Sequence, residues 1–273
     1  MMIGELTGVG NTAKVYEWRK NEVVKVFYDH ESAKHEARNA EIISGLELRT
    51  PQYNGLIEIE GQLGIIYEKI TGPTMLKQMD SSCDCLSNNA RLMARLQFQM
   101  NTLDASALQP LQARLTYHIQ GIQEFPELQK HSILDTMNLL QNDSFLCHYD
   151  FHPDNIIMSP GGPVIIDWLN ALAGCPEADV TRTSMMLASS SLPPEVPGWL
   201  NDREARDYFH KEYLSEYLAL SGLDSKVLEQ WMVPTLAARI HEMQGLYREE
   251  IVDQLRVRLA NDARPNKLDV LDV

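Results

Sequence analysis

The stretch Cys147-His148-Tyr149-Asp150-Phe151-His152-Pro153-Asp154-Asn155, followed by Val164-Ile165-Ile166-Asp167-Trp168, constrains this chain more than any other. The flanking runs Ser144–Cys147 and Ile156–Met158 read as short strands, and Pro153 stiffens the loop between them. A loop carrying imidazole, carboxylate and amide groups in the order H-x-D-x-x-x-x-N is thus anchored at both ends. A second Asp then closes an apolar, strand-like run.

Metal-assisted phosphoryl transfer needs these residue types. One carboxylate takes the proton of an attacking hydroxyl, while an amide and a second carboxylate hold Mg2+ against nucleotide phosphates. Two other readings fit the same residues. His148, Asp150 and His152 form an H-x-D-x-H cluster compatible with metal-dependent hydrolysis, although a zinc site would need more ligands. The segment is otherwise a polar turn between strands.

The segment resembles the catalytic loop of the aminoglycoside phosphotransferase and choline kinase-like family, which shares the protein-kinase fold. There the pattern is commonly H-G-D-x-H-P-x-N, then an apolar run ending in D-W or D-F. The resemblance implies that Asp150 is the catalytic base, with His148 beside it mainly structural, and that Asn155 and Asp167 are Mg2+ ligands. Tyr149 stands where the family usually has Gly, which asks for a different backbone or a pocket for the ring. Asp179 matches an Asp that the family uses to brace the catalytic loop; a first-turn or N-cap role is compatible with this.

Upstream, Gly4–Tyr16 is a glycine-bearing turn entering an alternating run, in which Gly8 and Gly10 would let the backbone approach a phosphate. The next strand, Glu22–Phe27, places Lys25 on the same face as Val23 and Phe27. A Lys there is costly without an anion, unless it snorkels from an edge strand. A helix from Glu31 to about Ser44 follows, with Ala33, Ala37, Ala40 and Ile43 as its apolar stripe and Glu36 beside it. Strand Lys followed by helix Glu is the ion pair that orients Lys onto phosphates in kinase-like folds. The runs Asn54–Glu60 and Leu63–Lys69 form a hairpin around Gly61. By the resemblance, residues 67–73 are the hinge between lobes, where Glu68 and Ile70 supply backbone groups to the adenine edge.

From Met75 onward helical spacing dominates, over Ala90–Leu103, Leu108–Ile122, Glu127–Leu140, Ala178–Ala188, Asp202–Leu220 and Lys226–Leu259, the last broken around Pro234. Ser191–Gly198 is too proline-rich to be regular. The expected architecture is α+β and bilobal, protein kinase-like: a small antiparallel-sheet lobe, residues 1–70, binds nucleotide. A larger, mainly helical lobe, residues 74–273, carries catalysis and the substrate. No apolar run approaches membrane-spanning length and no signal pattern opens the chain, so a cytoplasmic protein is expected.

The net charge of −14 argues against nucleic acid and anionic membranes as partners. The expected activity is an ATP- or GTP-dependent, Mg2+-assisted kinase acting on a small-molecule alcohol, amine-bearing alcohols among the candidates; the alternatives are the metal-dependent hydrolase and a kinase-fold binding protein without turnover. Glu242, Glu249 and Glu250 fall on late helices where family members hold amino-bearing substrates; a solvated acidic face is the plainer account.

Overall fold

The structure, a computed structural model, describes residues 3–189, 191, 192 and 196–262. Alternating apolar and polar residues between Leu6 and Glu68 build one antiparallel sheet. Its strands are β1 (Leu6–Val9), β2 (Ala13–Glu17), β3 (Glu22–Phe27), β4 (Tyr53–Ile59) and β5 (Gln62–Glu68), in the order β1-β2-β3-β5-β4. Period-two alternation gives the sheet two faces. Val24, Val26, Ile59 and Ile66 cluster on one. Phe27, Ile65 and Tyr67 gather on the other, against Ala33, Ala37 and Ala40 of helix α1 (His30–Ile43).

Helix α1 starts where the Asp29 carboxylate accepts the Ser32 amide at 2.8 Å, satisfying one of the helix's open N–H groups. Its buried stripe includes Ala33, Ala37, Ala40 and Ile43, as the spacing predicts, and also Glu36 and Asn39. Both polar residues therefore require partners inside.

The helical part comprises α2 (Met75–Gln78), α3 (Cys83–Met100), α4 (Leu111–Gln120), α5 (Glu127–Asn138), α6 (Pro176–Leu187), α7 (Gly198–Asn201), α8 (Arg203–Ser221), α9 (Ser225–Glu242) and α10 (Gly245–Asp262). Two antiparallel strand pairs interrupt it. Strand β6 (Phe145–Cys147) pairs with β9 (Leu172–Gly174), and β7 (Ile156–Ser159) pairs with β8 (Gly162–Ile165). One core packs α3 against α8, with Met93, Met100, Phe209 and Tyr213 fully buried. A second gathers Leu115, Tyr149, Trp231 and Ala237 from α4, the loop after β6, and α9. The whole is α+β and bilobal. Among the described residues no helix is long and apolar enough to cross a membrane.

Two expectations need correction. Helix α9 runs unbroken through Pro234, and the chain breaks instead at extended Met243. A proline inside a helix removes one hydrogen bond, here to the Gln230 carbonyl. Burial of Trp231, Leu236, Ala237 and Ala238 around it keeps the helix going. The segment read as irregular through Gly198 turns helical at that residue; Pro193, Pro194 and Glu195 lie outside the described residues.

Candidate active site

Strand β3 pairs with β2 and β5 so that Lys25 lies opposite Val15 and Ile65, on the face that α1 covers. The Lys25 ammonium donates to Glu36 Oε2 at 2.7 Å and to Asp167 Oδ1 at 2.9 Å. Burial alone would pull the Lys25 pKa down; the two carboxylates more than reverse this and raise it above its ordinary value. Asp167 moves the opposite way: burial lifts its carboxyl, and Lys25 brings it below the usual carboxylate range. Glu36, 1% exposed, also accepts from the Tyr67 hydroxyl at 3.0 Å, so β5 grips it as well.

Helix α1 is tied to the Asp167 segment independently. Asn39, three residues after Glu36, donates from Nδ2 to the Trp168 carbonyl at 2.9 Å and lies within 3.4 Å of those of Leu169 and Ala171. Asp167 itself takes a left-handed backbone, φ 67°, at the turn into Trp168. Trp168 Nε1 donates to Thr50 at 2.7 Å.

The loop between β6 and β7 holds the remaining residues. The Asp150 side chain is 31% exposed, and Asn155 Nδ2 donates to the Asp150 carbonyl at 2.9 Å. His152 Nε2 lies 3.9 Å from Asp150 Oδ2. His148, by contrast, is fully buried against Phe151 and Trp168, and Nε2 donates to the Ile166 carbonyl at 3.0 Å. Burial holds its pKa down, so the ring stays neutral and fastens the loop to the strand leading into Asp167. The three members of the H-x-D-x-H pattern do not converge: one ring points into the core. Among the described residues no three His, Cys, Asp or Glu side chains are placed to share a cation.

Tyr149 adopts φ 59°, the region in which glycine is at ease and a bulky side chain is strained. The position keeps a glycine-like backbone, and the ring has a pocket: it is 2% exposed, with the Arg182 guanidinium 4.5 Å from its centroid. The Tyr149 amide donates to Asp179 Oδ1 at 2.7 Å. Asp179, fully buried, accepts further bonds at Oδ2 from Gln97 at 2.8 Å and Asn101 at 3.0 Å. Tyr213 and Tyr217 of α8 donate in turn to Gln97 and Asn101. A closed polar network thus runs from α8 through α3 to the loop, and three donors offset the desolvation of one carboxylate.

Gly8 and Gly10 border the β1–β2 turn with ordinary backbone angles, and a Cβ at either would meet nothing closer than 3.6 Å. Nothing among the described residues demands glycine there. Glu68 ends β5, its amide donating to the Gln52 carbonyl at 2.9 Å. Ile70 lies in the crossing segment, half-buried. Gly72 has φ 148°, and a Cβ on it would lie 2.3 Å from the Met158 carbonyl oxygen. Thr74 Oγ1 donates to Asp154 at 2.6 Å, and Met158 N to the Pro73 carbonyl at 2.8 Å. The crossing segment is therefore stitched to the loop and to β7.

The late glutamates do not form one acidic face. Glu242 pairs with Arg182 at 2.6 Å and lies 3.3 Å from His118 Nδ1. Burial lifts its carboxyl, but Arg182 outweighs this and holds it at about 2. Glu250 accepts from Ser191, and Glu249 is exposed on α10. Sequence reasoning missed Asn39, Tyr67, Gln97, Asn101 and Arg182. A polar residue set within an apolar helical stripe, as Asn39 and Gln97 are, is the signal that was available.

Solved structures share this fold. A thermostable mutant of aminoglycoside phosphotransferase APH(4)-Ia superposes with a TM-score of 0.66 at 13% identity, over 96% of each chain. The amicoumacin kinase hAmiN gives 0.62 at 13% identity, over 98% of this chain and 90% of its own. Macrolide 2'-phosphotransferase MphH from Brachybacterium faecium gives 0.51 at 14%, over 92% and 91%. No curated protein matches the sequence. The sequence model of the phosphotransferase enzyme family (APH) matches residues 8–223, from the β1–β2 glycines to just past α8, and the chain belongs to that family.

Proposed function

We propose that the protein is an ATP- or GTP-dependent kinase that transfers the γ-phosphoryl group to the hydroxyl of a small molecule. Residues 1–70 form the nucleotide lobe, residues 67–73 the hinge and residues 74–273 the lobe that holds catalysis and the acceptor. The carrying observation is the Lys25 ammonium held between Glu36 and Asp167, the latter 142 residues away in sequence. An ammonium kept charged and 12% exposed suits a nucleotide phosphate, whose oxygens would replace Asp167 on Lys25. Asp150 accepts the proton of the acceptor hydroxyl as its oxygen bonds to phosphorus and the bond to the β-phosphate oxygen breaks, releasing the nucleoside diphosphate. Glu68 and Ile70 offer backbone groups to the base, and the glycines at 8 and 10 leave room above the phosphates. His148 is a positioning residue.

Asn155 and Asp167 would hold Mg2+, their side-chain oxygens suiting a hard cation, and the ion would neutralise charge on the transferring group. An APH(4)-Ia ternary complex with AMP-PNP and hygromycin B supports a site for a nucleotide and a second small molecule together.

The test is release of ADP from Mg·ATP across a panel of alcohols. Asp150→Asn is expected to lower kcat by roughly 10²–10⁴, the range for a positioned base, with Mg·AMP-PNP binding retained in calorimetry. Full turnover in that variant would remove Asp150 from the reaction.

A further inference from the structure

The acceptor side of the proposed site carries an unspent excess of positive charge. Helices α4, α6 and α9 pack together beside the Asp150 loop and contribute Arg114, Arg182 and Arg239. Arg182, 3% exposed, gives one N–H to Glu242 and stacks on Tyr149; its Nε and Nη1 are buried and bond to nothing. Arg239 Nη1 is likewise buried without a partner. Arg114 reaches Gln109 at 3.0 Å and His35 at 2.9 Å, neither of them an anion. Thr235 Oγ1, one turn before Arg239 on α9, and the Tyr149 hydroxyl are buried next to each other in the same place.

Arg182 and Arg239 both lie within electrostatic reach of Asp150, and Arg114 within reach of Arg182 and Glu242. Arg182 and Arg239 thus share Glu242 and Asp150, and the buried N–H groups Nε and Nη1 of Arg182 and Nη1 of Arg239 still bond to nothing. The crowding shows in Arg239: burial first, then repulsion from Arg182, brings its pKa down to about 10. Buried N–H groups on a cation cost more than neutral ones when left unpaired. An ammonium-bearing acceptor would add to the excess, and a neutral one would leave the donors empty.

Resting on the kinase reading above, we propose that the acceptor is an anionic alcohol, whose oxyanion sits on Arg182 and Arg239 while its hydroxyl is presented to Asp150. A carboxylate and a phosphate monoester share the chemistry that two guanidinium groups recognise. Glu242 holds Arg182 in place, and Tyr149 supports the guanidinium plane from below.

The experiment titrates glycerate, glycerol 3-phosphate, glycerol and ethanolamine into full-length protein, by calorimetry, with the nucleotide site filled by Mg·AMP-PNP. Glycerate or glycerol 3-phosphate is expected to bind, with glycerol and ethanolamine weaker by about tenfold or more, the size of a lost charge-assisted hydrogen bond. Whichever anion binds tighter separates the carboxylate source from the phosphate source. Arg239→Gln should weaken that anion by about tenfold or more and leave AMP-PNP affinity unchanged, while Arg239→Lys restores part of the loss. In turnover, Arg239→Gln should raise the acceptor KM more than it lowers kcat. Arg182→Gln removes the partner of buried Glu242 and is read only alongside its melting curve. Binding of glycerol or ethanolamine as tight as that of the anions, binding of neither anion, or an Arg239→Gln variant with unaltered anion affinity would overturn the proposal. If AMP-PNP itself does not bind, the kinase reading fails; the same four titrations in nucleotide-free protein still decide the arginine site.

Discussion

Lys25 shows how much one buried ion pair controls. Its raised pKa contributes stability that is fully present below its ordinary value of 10.5 and is lost as pH rises through the higher folded value. Near neutral pH that contribution is constant. Lys25→Met changes this, because Glu36 is then a buried carboxyl with only Tyr67 to bond it. Its folded pKa, already lifted by burial, rises further above the ordinary 4.5. A raised acid is least costly below its unfolded pKa and loses stability as pH climbs through its folded pKa. The variant should trail the parent by about 3–5 kcal/mol at pH 8, the cost of an unpaired buried charge, and the gap should close toward pH 5. Urea unfolding at the two pH values checks it; a pH-independent gap would mean that Glu36 does not remain buried and charged. Period-two alternation made the Lys25 face legible in the sequence, and helical spacing put Glu36 beside its stripe. The second carboxylate on Lys25 was not legible, since Asp167 arrives from a distant turn with a left-handed backbone.

Elements matter here by how they are fastened. Helix α1 carries Glu36, and its seat on the large lobe depends on Asn39 reaching the carbonyls after Asp167. Asn39→Ala should cost about 1–2 kcal/mol, a buried hydrogen bond less the partial satisfaction that Ala171 already gives the Trp168 carbonyl. The loss should be local: amide exchange in α1 rises while α3, packed on α8, keeps its protection. Unchanged exchange in α1 would show that the alanine stripe alone seats the helix. The existence of nearly every helix was readable from apolar spacing, but the ends were not. Helix α3 begins at Cys83, well before its strongest periodicity, because Leu86 and Ala90 find partners only in the folded core. At Pro234 a local rule lost to tertiary burial. The bracing of Asp179 was legible only in part: Gln97 sits within the apolar stripe of α3, but Asn101, the residue that caps the helix, carries no such signal, and neither residue names its distant partner.

At the scale of the whole molecule, net charge and the charge around one loop are separate quantities. A chain at −14 is compatible with a cationic partner, yet Glu242 is paired with Arg182, and N–H groups of Arg182 and Arg239 stay buried without a partner. Global charge describes the solvated surface; the site is set by which side chains three packed helices bring together. The same logic governs how the two lobes are held. The crossing segment passes so close to β7 that Gly72 has no room for a side chain, and its φ of 148° excludes one independently. Pro73 and Thr74 then bond to Met158 and Asp154, which flank Asn155. Any side chain at position 72 must push the crossing segment away from β7, the strand that follows the Asp150 loop. Gly61 is the control: at φ 81° on the β4–β5 turn it has nothing within 4 Å, so alanine there meets strain without collision. Gly61→Ala should cost about 1 kcal/mol and leave Mg·AMP-PNP affinity intact. Gly72→Ala should cost about 3 kcal/mol or more and weaken the nucleotide, because the clash adds to the strain and shifts one lobe against the other. Paired urea melts and calorimetric titrations decide it, and equal losses in the two variants would show that the lobes are not registered through Met158.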